Sequence, residues 1–183
     1  MDLVNNQTIL PALRQLGDLR KILESSYETF VVLDIHISQL MHVRREAKKY
    51  GKRIFLHADL IHGLKTDDYG ADFLCHDVRP DGIVSTRANV LKKAKKKDII
   101  AIQRMFLLDS LALEKSYALV EQIQPDYIEV LPGIIPEMVA QVREKTGIPV
   151  ISGGLIQTPE QIDRALEAGA IAVTTSDKSL WRR

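Results

Sequence analysis

The sequence predicts an α/β fold, a compact (β/α)8 barrel, and three observations carry that reading. Apolar runs alternate with segments of helical periodicity along the chain, the pattern of parallel strands joined by crossover helices. Eight such runs can be counted, and most are apolar throughout, as strands are when both faces of their sheet are covered. The last two end in small hydrogen-bonding residues, Gly153-Gly154 and Thr175-Ser176, which is how the loops after strands 7 and 8 of such a barrel make a phosphate site. The chain has 183 residues for a fold that commonly needs about 250, so the barrel must be tightly built. An open doubly wound sheet is the alternative.

The predicted strands are Phe30 to Leu33, Arg53 to Leu56, Asp72 to Cys75, Gly82 to Val84, Ile99 to Ile102, Tyr127 to Leu131, Pro149 to Ile151 and Ala170 to Val173. Ahead of them, Leu10 to Leu23 reads as an additional helical segment. Ser38 is placed to cap a helix whose Leu40, Val43, Ala47 and Tyr50 share one face and which Gly51 ends. The stretch from His76 to Asp81 is too short for a crossover helix, which makes it the tightest point of the barrel. Leu113, Tyr117 and Val120 mark the next helix, stopped before Pro125. Pro136 begins another, with Met138, Val139 and Val142 apolar and Gly147 past its end. Thr158-Pro159-Glu160-Gln161 is a capping box with proline at the first helical position, and Gly169 ends that helix.

One domain is expected over residues 1–183. A net charge of +1, with 45% hydrophobic and 27% charged residues, gives no global pull toward nucleic acid or membrane. The single cysteine, Cys75, excludes an internal disulfide and reads as a buried strand residue rather than a nucleophile. Met1-Asp2-Leu3-Val4-Asn5-Asn6 carries no basic and then apolar targeting pattern, and no apolar run approaches membrane-spanning length. The expected location is the cytoplasm.

Function in such a barrel gathers at the C-terminal ends of the strands. Read in order, these ends supply Asp34 and His36, His57 and Asp59, His76 and Asp77, Ser85 and Thr86, Arg104, Glu129, Gly153-Gly154 and Thr175-Ser176. Gly153 and Gly154 let backbone amides approach an anion, and Ser176 can open a short last helix whose N–H groups favour negative charge. Arg104 offers a planar fork suited to phosphate, or pairs structurally with Glu129. His57 with Asp59, and Asp34 with His36, are of metal-ligating type, but no tight ligand spacing supports a metal, and none is assigned. Asp59 and Glu129 could form an acid–base pair, as could some pair in any barrel mouth. Two basic segments stand out: Arg44, Arg45, Lys48 and Lys49 before Gly51-Lys52-Arg53, and Lys92, Lys93, Lys95, Lys96 and Lys97. Each is either a solvated helix face or a footprint for nucleic-acid phosphates.

Several segments together resemble the glycerol-3-phosphate-responsive antiterminators. They are His57-Ala58-Asp59-Leu60-Ile61-His62-Gly63-Leu64, Asp81-Gly82-Ile83-Val84-Ser85-Thr86-Arg87, Ile102-Gln103-Arg104-Met105-Phe106, Tyr127-Ile128-Glu129-Val130-Leu131-Pro132-Gly133 and Ser152-Gly153-Gly154-Leu155-Ile156. The resemblance runs from Ile9-Leu10-Pro11-Ala12 to Ser179-Leu180-Trp181; Leu33-Asp34-Ile35-His36 fits it least, and His62 stands where the pattern has an acidic residue. It implies a TIM-type barrel and a transcription antitermination regulator of glycerol metabolism. Such a regulator binds the leader mRNA of glycerol operons when glycerol 3-phosphate is present, with no catalysis and no cofactor. On that reading Gly153, Gly154, Thr175, Ser176 and Arg104 meet the phosphate, His57, Asp59 and Glu129 face the glycerol hydroxyls, and the two basic segments face RNA. A homo-oligomer is left open. From the residues alone, an isomerase, epimerase or synthase acting on a triose or sugar phosphate ranks ahead, because most phosphate barrels are enzymes.

Overall fold

The computed structural model describes residues 7–182; Met1 to Asn6, read above for targeting, lie outside the described residues. Eight parallel strands close into a barrel: β1 Ile9–Leu13, β2 Thr29–Val32, β3 Arg53–His57, β4 Gly82–Ser85, β5 Ile100–Phe106, β6 Tyr127–Leu131, β7 Val150–Gly153 and β8 Ala170–Thr175. Each strand pairs with the next, and β1 closes the ring, with Ile9 opposite Val173 on β8 and Ala12 opposite Val31 on β2. Helices α1 Leu19–Leu23, α2 Ile37–Lys49, α3 Asp68–Phe73, α4 Ala88–Lys96, α5 Ser110–Ile123, α6 Pro136–Thr146 and α7 Pro159–Glu167 occupy the connections, and a 3-10 turn, Lys178–Arg182, follows β8. A short parallel ladder joins Ile35–His36 to Ile61–His62 just beyond β2 and β3. No helix among the described residues is long and apolar enough to cross a membrane.

Two expected elements change type. Leu10 to Leu13, expected to open a helical segment, belongs to the first strand, Ile9–Leu13, which is buried along its whole length. A fully apolar pentad suits a strand covered on both faces, and it pairs with β8 on one side and β2 on the other. Asp72 to Cys75, expected to be a strand, belongs to α3 and to the π turn Leu74–Val78 that extends it. Ala71, Leu74, Cys75 and Val78 recur at helical spacing and are all buried, and Asp67 caps α3 by accepting from the Gly70 amide at 2.9 Å. With both changes the strand number stays at eight, and the connection from β3 to β4 gains the crossover helix that had no room. At α2 the cap is His36 rather than Ser38: its ring accepts from the Ser38 amide at 3.2 Å while Gln39 reaches back to the His36 amide. Tyr50, expected on the buried stripe, is exposed. The capping box at Thr158 and Gln161 forms as the sequence indicates.

The inside of the barrel follows from the period-two alternation of strands. One apolar cluster takes a residue from every strand: Leu10, Val31, Phe55, Val84, Ile102, Tyr127, Ile151 and Ala172. Phe55 fits because Gly82 opposite it has no side chain; a Cβ there would lie 2.6 Å from the Phe55 ring. The helices cover the outside in two further clusters. One gathers Leu40, Val43, Leu74, Val90 and Leu91 over the first strands, and the other gathers Tyr117, Val120, Val139, Val142 and Ile162 over the later ones.

Candidate functional site

Stepping two residues on from that apolar cluster gives the next inward layer, Ala12, Leu33, His57, Arg104, Glu129, Gly153 and Thr174; after β4 the same step reaches Thr86, past the strand end, whose hydroxyl turns to Asp59 instead. A cavity of about 430 Å³ opens above it at the C-terminal mouth. Ala12, Leu33, His57, Arg104, Glu129 and Thr174 line its floor and walls, and Gly154, Leu155, Thr175, Ser176 and Asp177 form its rim after β7 and β8. The fold therefore changes from an apolar layer to a charged one within a single strand repeat.

Three of those residues form one electrostatic unit. Arg104 and Glu129 are register partners on β5 and β6, and Arg104 Nε lies 3.6 Å from Glu129 Oε2. His57 Nε2 lies 3.5 Å from the same oxygen, and Arg104 Nη1 reaches His57 Nδ1 at 3.4 Å. A guanidinium only donates, so Nδ1 is the acceptor and the ring proton faces Glu129. The other carboxylate oxygen, Oε1, accepts from Thr174 Oγ1 at 2.9 Å. Glu129 is fully enclosed, and burial pushes its carboxyl pKa up; His57, Arg104 and Thr174 more than offset this and hold it below the ordinary carboxylate value. Among the described residues, Arg104 Nε and Glu129 Oε2 are buried and find no hydrogen-bond partner, an unusual state for charged groups. The Arg104 guanidinium also lies over the Phe106 ring, 4.8 Å from its centre, a cation–π contact.

The rim is shaped by glycines. A Cβ on Gly153 would fall 2.2 Å from Thr174 Oγ1 and 3.2 Å from Glu129 Oε1, so the Thr174–Glu129 bond requires glycine there. Gly154, at φ +77°, turns the chain outward through a left-handed conformation. The short turn after β8 is opened by Asp177 rather than Ser176: Asp177 Oδ1 accepts from the Ser179 hydroxyl at 2.7 Å and its amide at 2.9 Å, which holds the carboxyl below its usual pKa.

The expected site residues divide into groups. His57, Arg104, Glu129, Gly154, Thr175 and Ser176 converge on the cavity; Gly153 stands behind them as a packing requirement. Asp59 does not line the cavity. Its carboxylate accepts from Ser85 Oγ at 2.6 Å, the Thr86 amide at 2.7 Å and Thr86 Oγ1 at 2.9 Å, clasping the ends of β3 and β4 together. His57 and Asp59 thus turn to different partners, and no group of three His, Cys, Asp or Glu among the described residues could hold a metal. His76 and Asp77, expected at the mouth, lie exposed in the π turn beyond α3, because the strand that would have carried them there is a helix. Arg14, Gln157 and Asp177 were missed. Arg14 was hidden by reading β1 as helix, whereas counting by twos from Phe55 and Ile102 would have separated inward from outward residues.

The basic segments sit at the other end of the molecule. Lys48 and Lys49 close α2 and Lys92 to Lys97 close α4, and both helices end where β3 and β5 begin, opposite the mouth. Arg44 is paired with Asp81 at 3.1 Å, Lys49 with Glu46 at 2.6 Å and Lys93 with Asp72 at 2.8 Å, while Lys95 donates to the Gln124 carbonyl. Arg45, Lys48, Lys92, Lys96 and Lys97 are exposed.

An eight-stranded parallel barrel with a charged cavity at its C-terminal mouth defines a TIM-type α/β protein. The chain belongs to the glycerol-3-phosphate responsive antiterminator family, whose profile matches residues 9–181. It is 50% identical to the glycerol uptake operon antiterminator regulatory protein of Listeria monocytogenes, whose solved structure superposes with a TM-score of 0.95 over 99% of this chain and 97% of that one. A glycerol uptake operon antiterminator-related protein of Thermotoga maritima is 30% identical, with a TM-score of 0.83 over 96% of this chain and 98% of its own. The uncharacterized protein YgcP of Escherichia coli is 31% identical over 99% of this chain and 95% of its own length. More distant barrels share the fold alone, among them a deoxyribose phosphate aldolase of Aeropyrum pernix at 15% identity and TM-score 0.71, covering 92% and 85% of the two chains.

Proposed function

We propose that this chain is an RNA-binding antitermination regulator of glycerol uptake and utilisation genes, acting in the cytoplasm as one antiterminator domain, and that glycerol 3-phosphate is its activating ligand. The observation that carries the reading is the cavity itself. In a family described by its response to glycerol 3-phosphate, it offers a charged floor with two buried groups that find no hydrogen-bond partner among the described residues, beneath a rim turned outward at Gly154. The phosphate meets the rim around Gly154, Thr175 and Ser176 with Arg104 as counter-charge. His57 and Glu129 receive the hydroxyls; Asp59 supports them from outside by holding the β3 and β4 loops. No chemistry is required, since a regulator needs only differential affinity for ligand between two states.

Calorimetric titration should show glycerol 3-phosphate binding and unphosphorylated glycerol failing to bind. Gly154→Val, which places a β-branched side chain at φ +77° and a Cβ 3.1 Å from Leu131, should abolish binding. Equal affinity of wild type and variant, or turnover of any phosphorylated triose or sugar detected by NMR, overturns the reading.

The RNA surface is assigned to the exposed cations at the base. Changing Lys92, Lys96 and Lys97 to Gln, or Arg45 and Lys48 to Gln, should weaken leader-RNA binding. Each RNA phosphate that a variant no longer neutralises should flatten the log–log salt slope by about 0.7–0.9. Glycerol 3-phosphate affinity should be unchanged. If slope and RNA affinity stay at wild-type values in both variants, these segments are solvated helix faces.

A further inference from the structure

We propose that Arg14 is a second cation for the ligand's phosphate, held in reserve on Asp34, and that ligand binding moves it from carboxylate to phosphate. The inference rests on the phosphate-binding reading just given and adds a means of regulation at the same site. The charges lining the cavity require such a group. Among the described residues, its Lys, Arg, Asp and Glu are Arg14, Arg104, Glu129 and Asp177. The charge of Arg104 is balanced by that of Glu129 beside it, even where its fork reaches the phosphate, and Asp177 at the rim is anionic. Without Arg14, a phosphate of about two negative charges would meet a net negative wall. With it, the wall is neutral and its mobile charge is positive.

Arg14 is positioned for the exchange. It follows directly after β1, next in the barrel to the end of β8, and lines both the main cavity and an adjoining one of about 370 Å³, which share Ala12, Arg14 and Ser176. Its present partner is weakly held: Arg14 Nη2 to Asp34 Oδ2 is 3.2 Å, with the side chains 57% and 43% exposed. Exposed ion pairs of this kind contribute little, whereas an arginine fork on phosphate is among the strong charge-assisted pairs. Asp34 does not lose all support when Arg14 leaves, because His62 Nε2 lies 2.7 Å from its other oxygen.

The exchange has a structural consequence. Asp34 adopts φ +50° at the turn between β2 and the short ladder, and the next residues pair with Ile61 and His62. His36 in that ladder caps α2, the helix carrying Arg45 and Lys48. Arg14 is therefore a side-chain tie between the phosphate rim and the loop that starts a basic helix, beyond the last backbone bond from Leu33 to Leu13. Ligand arrival cuts this tie at the barrel mouth, and the segment from Asp34 to His36 gains freedom relative to β1.

The test uses inorganic phosphate and glycerol 3-phosphate as separate probes, titrated calorimetrically into wild type, Arg14→Gln, Arg14→Lys and Asp34→Asn. Arg14→Gln should weaken both probes about tenfold or more, the worth of a hydrogen bond to a charged group. Arg14→Lys should recover part of the loss. Asp34→Asn should tighten both by up to about fivefold, because Arg14 no longer has to leave an ion pair. The opposite signs separate this from a structural pair, whose loss would lower thermal stability in both variants and leave affinity alone. Wild-type affinity for inorganic phosphate in Arg14→Gln, weaker binding in Asp34→Asn, or no phosphate binding at all overturns the proposal. If phosphate responds as described but glycerol 3-phosphate binds no more tightly than phosphate, the exchange stands and the glycerol 3-phosphate reading falls.

Discussion

Gly153→Ala should be the most damaging single-methyl change at the mouth. The added carbon would fall 2.2 Å from Thr174 Oγ1, where no rotation of a long side chain can relieve the clash. Thr174 must turn away, and Glu129 then loses its hydroxyl donor while remaining enclosed. Overpacking and a lost hydrogen bond to a buried charge together cost about 3–5 kcal/mol, or roughly 10 °C in melting temperature for a chain of this size. Gly147→Ala is the control: its glycine is also left-handed, at φ +67°, but has open space around it. That change should cost only about 1 kcal/mol. The damage at Gly153 should also depend on acidity. Glu129 titrates below its ordinary value, so it adds stability above the ordinary carboxylate pKa and loses it as pH falls through the lowered one. Removing the Thr174 donor raises that pKa, so the variant should unfold at higher pH than wild type in an acid titration followed by circular dichroism. Equal melting temperatures for the Gly153 and Gly147 variants would show that Thr174 and Glu129 are not coupled through this glycine.

Replacing Arg104 should have the largest effect on ligand affinity. Arg104→Met removes a guanidinium fork that can place two charge-assisted bonds on one phosphate, at roughly 1.5–3 kcal/mol each. Calorimetry should record a loss of at least about 100-fold, since each 1.4 kcal/mol is tenfold. Arg104→Lys keeps the charge but not the fork or the contact with Phe106, and should fall between the two. Both variants also disturb Glu129, and loss of one member of a buried pair costs about 3–5 kcal/mol of stability. Titrations therefore belong well below the melting temperature of each variant. If the Met and Lys variants melt early but bind glycerol 3-phosphate as wild type does, Arg104 serves only as the counter-ion of Glu129.

The barrel was legible because its strands are apolar runs with clear stops: the strands from β2 to β8 fall within two residues of where the sequence puts them, except at the C-terminal end of β5, which runs on to Phe106. The failures have a common cause. Ile9–Leu13 and Asp72–Cys75 are short apolar stretches, and periodicity over so few residues does not separate a strand from a helix. Pairing with β8 and β2 on its two sides decides the first, and the Asp67 cap with its i, i+3, i+4 followers decides the second. At the site, residue types at strand ends pointed to the mouth, but direction is a matter of register. Asp59 looks like a pocket carboxylate in sequence, yet sits two positions beyond His57 where the chain has already left the strand for a 3-10 turn, and its oxygens turn to Ser85 and Thr86. Arg14 and Asp177 lie on loops whose path no local pattern announces.

The apolar layer beneath the cavity makes this barrel a closed cup. Phe55, Ile102, Tyr127 and their neighbours fill the cross-section, so the charged cavity, as the described residues bound it, opens at the C-terminal face. Anything large that lies across that opening locks the occupant in; anything gripping the opposite rim leaves it free to come and go. For a regulator holding RNA by the cations at its base, the first arrangement would behave as a latch that remembers its signal. The second behaves as a gauge that follows the metabolite from moment to moment, and that is the behaviour expected if the proposed RNA surface of Arg45, Lys48, Lys92, Lys96 and Lys97 is the one used.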